Sequence, residues 1–94
     1  MYNLPMTQDE QDLLKEALNS HGQLGRYKDK HAIASAGIAK SGIIYKEGET
    51  IFADDEVIEV AIYAVDSMQS HIVGDMFKFD AVGKLWEKLD SFTG

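Results

Sequence analysis

The chain has 94 residues and sets 16 acidic against 9 basic side chains, a net charge of -7. At this length one hydrophobic core is available, which excludes an enzyme built from two lobes around a cleft. Hydrophobic residues at 45% exclude wholesale disorder, and a cysteine count of zero excludes disulfide frameworks, thiolate metal sites and cysteine nucleophiles.

Residues 1–6 carry no positive run leading into an apolar stretch, so no signal peptide is expected. No apolar run approaches the ~20 residues that span a bilayer. The expectation is one globular domain over residues 1–94, cytoplasmic and without membrane contact.

From Thr7 to Ser20, Leu13, Leu14, Ala17 and Leu18 recur at helical spacing, while Asp9, Glu10, Asp12 and Glu16 fall mainly off that face. Thr7 and Glu10 have the capping-box form, and Gly22 supplies a stop. A second helix is expected over Asp29 to Lys40, with Ile33, Ala34, Gly37 and Ile38 on one side. The period then changes to two. Gly42 to Phe52 has β-branched and aromatic arms around Lys46, Glu47, Gly48 and Glu49, which predicts a β-hairpin.

Asp54, Asp55 and Glu56 place negative charge where a helix N-terminus favours it. Val57, Val60, Ala61, Ala64, Val65 and Met68 follow with helical spacing, predicting a helix from about 55 to 71; the alternative is a buried strand over Val57 to Val65. Met76 to Phe79 reads as a short strand or a lead-in to a last helix. That helix carries the stripe Phe79, Val82, Leu85, Trp86, Leu89 and Phe92, with Asp80 as its cap. The fold class is therefore α+β, mainly helical, in the order helix, helix, β-hairpin, helix, helix.

The charge is unevenly distributed: residues 1–20 sum to -3, residues 21–46 to +4 and residues 47–94 to -8. The carboxylates of Glu47, Glu49, Asp54, Asp55, Glu56, Glu59 and Asp66 could approximate the phosphate spacing of a nucleic acid and fill a basic groove on a protein partner. The opposite use of charge would employ Arg26, Lys28, Lys30 and Lys40 to bind DNA directly.

Ala32 to Ile44 loosely resembles a helix-turn-helix, with Gly37 making the turn, Lys40, Ser41 and Ile43 opening the recognition helix, and the hairpin as a wing. Gly22, Gln23, Leu24 and Gly25 have the GxxG spacing with which KH domains clamp a nucleic-acid backbone, but no strand is expected before the first helix.

His21, His31 and His71 form no ligand pair on one helix face, and Asp54 to Glu56 lacks the alternation of an EF-hand loop. No phosphate loop, nucleophile elbow or dinucleotide fingerprint is present. No catalytic residue, metal or cofactor is therefore expected. Met68, Met76, Phe77, Phe79, Trp86 and Phe92 make the C-terminal third rich in large apolar groups, which fits a homodimer through the last helix, a hydrophobic docking surface for another protein, or an ordinary core. Small size, acidity and the lack of a catalytic motif fit a non-enzymatic binding protein, such as a phage or mobile-element factor that inhibits a nucleic-acid-handling host protein.

Overall fold

The structure, a computed structural model, describes residues 1–93. In chain order it comprises β1 (Tyr2–Pro5), α1 (Gln8–Ser20), α2 (Lys30–Ser41), β2 (Ile43–Lys46), β3 (Glu49–Phe52), α3 (Asp55–Ser70) and α4 (Met76–Thr93). The α+β class and the expected order of helices around a hairpin are both present. What the sequence pattern did not reveal is β1, which makes the hairpin a three-stranded antiparallel sheet in the order β1-β3-β2.

Each element starts from local chemistry. At α1 the Thr7 hydroxyl accepts from the Glu10 amide at 3.2 Å and the Glu10 carboxylate accepts from the Thr7 amide at 2.9 Å, so two free donors are satisfied. Asp29 accepts from the Ala32 amide to open α2, and Asp54 accepts from the Val57 amide to open α3. Gly48 takes φ +81° in the two-residue hairpin turn, a conformation that a side chain resists.

Two sequence expectations need correction. Gly37 makes no turn: it lies inside α2, which runs on through Lys40 and Ser41, and Ile43 begins a strand. Ala34, Ala36 and Ala39, strong helix formers, keep the segment helical through the glycine, so no recognition helix starts at Lys40. The helix expected from about 55 to 71 is present as α3, and the alternative strand over Val57 to Val65 is not, since the apolar face of this segment is buried at helical spacing. Finally, Met76 to Phe79 is neither strand nor lead-in. Asp75, not Asp80, accepts from the Lys78 amide, and α4 begins at Met76.

The core is organised on α3. Val57, Ile58, Ala61, Ala64, Val65 and Met68 are buried, and α1, α2, α4 and β3 all pack against this helix. One face of the sheet supplies Leu4, Ile43, Thr50 and Phe52 to the same core, while Ile44 faces out. From α4, Val82, Leu85 and Leu89 are fully enclosed, whereas Phe79 and Phe92 remain about 40% exposed at the ends of the expected stripe.

Two further contacts tie the sheet and α4 to α1. The buried Gln11 amide donates to the Lys46 carbonyl at 2.7 Å and the Glu49 carbonyl at 2.9 Å, bridging the two strands beside the hairpin turn. Lys88 donates to Glu10 at 2.9 Å and to the Pro5 carbonyl at 3.0 Å, while Lys78 pairs with Glu16 at 2.7 Å. Burial pushes the Glu10 carboxyl up, but the Thr7 amide and Lys88 outweigh it, and its pKa lies below the ordinary glutamate value.

Replacing Gln11 by Leu keeps the volume but strands two carbonyls beside the hairpin turn. It is expected to cost about 1–3 kcal/mol of unfolding free energy, measured by urea denaturation, and to broaden the amide signals of Lys46 to Thr50 first. An unchanged midpoint would mean that the bridge is dispensable.

Candidate functional site

The acidic residues divide into two groups. On α3, Asp55, Glu59 and Asp66 follow one another around the exposed face, since their spacings of 4 and 7 residues return to nearly the same angle on the helix. They extend over about 16 Å at 1.5 Å per residue. Asp54 and Glu56 stand beside them at the first turn, and all five are exposed. Glu47 and Glu49 lie elsewhere, at the far end of β3, with Glu49 opposite Lys46 and Pro5 in the sheet register. The seven carboxylates therefore form no single surface: five gather on α3, and two share the hairpin end with Lys46.

None of these seven carboxylates lies in an ion pair among the described residues; the two ion pairs found join α1 to α4. Asp55 does have one polar neighbour. A hydrogen bond to it, together with its negative charge, raises the pKa of the Tyr2 hydroxyl above the ordinary phenol value. The Tyr2 ring meets Phe92 edge-on at 6.4 Å, so the C-terminal end of α4 lies close to the start of the acidic face.

The basic residues are also split. Arg26 and Lys28 stand in the exposed connection between α1 and α2, and Lys30 opens α2. Lys40 lies ten residues further along α2, in a depression lined by Lys15, Leu18, Asn19 and Tyr45. Tyr45, under the Lys15 ammonium at 4.5 Å, has its hydroxyl pushed up to about 12 by burial. Arg26, Lys28 and Lys30 have no ion-pair partner among the described residues. Tyr27 between them is 79% exposed, with the Arg26 guanidinium 5.5 Å from its ring centroid.

β1 does precede the first helix, contrary to the expectation set against the GxxG spacing. Even so, Gly22 is committed to packing. Its φ is +82°, its carbonyl accepts from the Asp29 amide at 2.7 Å, and a Cβ there would lie 2.6 Å from the Asp29 carbonyl oxygen. The first glycine of the pattern thus closes the turn against α2 and is not open to a nucleic-acid backbone.

Composition alone did not reveal a groove between α2 and α3. One part, a cavity of about 210 Å³, is lined by Ser35, Ile38 and Ala39 of α2 and by Asp54, Glu56, Val57 and Val60 of α3. A second part shares Ser35 and Val60 and continues to His31, Ala32 and Tyr63, with His21 and Asp29 at its end. Neither part is lined by a lysine or arginine. A different apolar cluster lies at the α3–α4 corner, where Val73 is 91%, Met76 71% and Phe77 92% exposed. The excess apolar surface of the C-terminal third is therefore concentrated at this corner rather than along the Trp86 face, which is partly buried.

Among the described residues, no three His, Asp or Glu side chains gather as a metal site, and no helix is long and apolar enough to cross a membrane. Compared with known proteins, the chain matches no family model, no curated protein and no solved structure.

His21 is the one titratable group at the groove whose environment shifts it clearly. Its Nδ1 is buried without a hydrogen-bond partner, and burial lowers its pKa below the ordinary histidine value, partly opposed by Asp29. Because the unfolded chain takes up this proton more readily, stability falls as pH drops through the ordinary value of about 6.5 and levels off below the folded pKa. Thermal unfolding of wild type and His21→Gln across pH 5 to 8 is expected to show this loss in the wild type only. A matching pH profile in both would remove His21 as its cause.

Proposed function

We propose that this chain is a small, non-enzymatic binding protein that occupies the cationic surface of a nucleic-acid-handling protein. The observation that carries the reading is the outer face of α3. There Asp55, Glu59 and Asp66 stand exposed in a row, with Asp54 and Glu56 beside them and no ion-pair partner for any of the five among the described residues. Like charges held in a row repel one another, and an opposed basic surface relieves that repulsion. Their field also accelerates encounter with such a partner, most strongly at low salt. A phage or mobile-element inhibitor of a host nucleic-acid enzyme would need no chemistry beyond this surface. The partner is cationic, and Glu47 and Glu49 contribute to its attraction from a distance rather than as part of the contact face.

A second reading is favoured by the 22–29 connection. Arg26, Lys28 and Lys30, with no ion-pair partner among the described residues, stand around the exposed Tyr27 and supply charge and a stacking ring, the combination that single-stranded nucleic acid uses. It keeps direct nucleic-acid binding through the basic segment as the alternative, without a helix-turn-helix.

Affinity capture of basic nucleic-acid-binding proteins by the tagged chain, compared with a variant carrying Asp55→Asn, Glu56→Gln, Glu59→Gln and Asp66→Asn, separates the two. Neutralisation is expected to reduce capture by at least about tenfold at moderate salt. Purified protein should leave duplex and single-stranded DNA unshifted in a gel. Capture that survives neutralisation would reduce the acids to solubilising groups, and a DNA shift that weakens steeply with salt would favour the basic loop.

A further inference from the structure

We propose that the groove between α2 and α3 is the seat of a cationic amphipathic helix from the protein partner, with apolar anchors in the groove and basic residues over the α3 carboxylates. This rests on the acidic-surface reading and adds to it a contact that charge alone does not provide.

The groove has the form such an occupant requires. Its two parts run together through Ser35 and Val60, and the pairing of α2's later residues with α3's earlier ones makes the helices antiparallel walls of one trough. α2 has 12 residues. At 1.5 Å per residue it offers a wall of about 18 Å, room for roughly three turns of a guest helix. The walls carry exposed apolar groups, Ile38 at 74% and Tyr63 at 58%, with half-buried Val60 between the two helices. A helix presenting apolar residues at i, i+3, i+4 and i+7 meets such a trough along its length. The narrower part, at about 210 Å³, suits a single side-chain anchor, and the wider part, at about 490 Å³, takes the adjoining turn of the guest.

Charge selects the guest. The chain's basic segment includes α2, yet its cations point away: Lys40 lies in the depression on the α1 side, and neither part of the groove has a lysine or arginine in its lining. The charged groups that do line it are Asp29, Asp54 and Glu56, and Glu59 stands one turn before Tyr63 on α3. Asp29 and Asp54 each hold a helix cap with one oxygen, while Glu56 has no ion-pair partner among the described residues. An apolar trough with an acidic rim favours a guest with an apolar face and basic flanks, and repels an acidic one.

The test uses the full chain with two probes, a synthetic 18-residue amphipathic peptide of leucine and lysine and an oligolysine of equal charge, followed by amide chemical shifts at physiological salt. The expected result is tighter binding of the leucine–lysine peptide, with shifts concentrated at Ala32–Ala39 and Glu56–Tyr63. A loss of at least about tenfold is expected in Ile38→Lys. Ile38 is mostly exposed, so the fold should tolerate the change; Tyr63→Lys, on the opposite wall, is the second variant and should lose affinity similarly. Equal binding of both probes, with both variants unaffected, would overturn the groove and leave the acidic-surface reading standing. If neither probe binds, the groove proposal fails and the acidic-surface reading fails with it.

Discussion

Everything in this molecule is arranged by the burial of one face of α3. Six side chains, from Val57 to Met68, are enclosed on it, and the other three helices and β3 all lean on this stripe. The four larger ones, Val57, Ile58, Val65 and Met68, release on the order of 1.5–3 kcal/mol each when fully buried, and Ala61 and Ala64 let neighbouring elements approach closely. The register is strict: turning α3 by even a quarter turn would carry Asp55, Glu59 and Asp66 toward the core. Carboxylates on a helix gripped from three sides have one direction left, outward.

This constraint turns an uneven charge distribution in the sequence into a surface. Two of the three lysines that follow α3 in sequence do not neutralise it, because Lys78 and Lys88 are drawn to Glu16 and Glu10 on α1. Those pairs tie the last helix to the first, and Lys88 also reaches the Pro5 carbonyl. The same packing sets α2 beside α3, so that a chain segment rich in lysine presents an apolar wall to its neighbour and sends Lys40 to the other side.

How much of this was legible depended on range. The capping box at Thr7 and Glu10, the hairpin turn at Gly48 and the period of α3 each depend on residues within one or two turns, and each was readable. β1 was not: it has four residues, one of them proline, and owes its existence to pairing with β3 across more than forty residues. The start of α4 misled because Phe77, Lys78 and Phe79 alternate like a short strand after Gly74 and Asp75, whereas the Asp75 cap decides for helix. Gly37 misled in the opposite sense, since a single glycine in an alanine-rich stretch can remain inside a helix. The seven carboxylates stand out in the sequence by their number, but their division between α3 and the hairpin end follows from strand direction. The groove was invisible because it belongs to the docking of two helices rather than to either one.

Negative potential is expected to concentrate on the outer face of α3, where Asp55, Glu59 and Asp66 stand exposed with Asp54 and Glu56 beside them. That is measured directly by comparing amide relaxation enhancements from a cationic and an anionic nitroxide dissolved with the protein. The cationic probe is expected to dominate at amides from Asp54 to Asp66, and the anionic probe at Arg26 to Lys30. Equal enhancement by the two probes over Asp54 to Asp66, or a cationic maximum confined to Glu47 and Glu49, would contradict it.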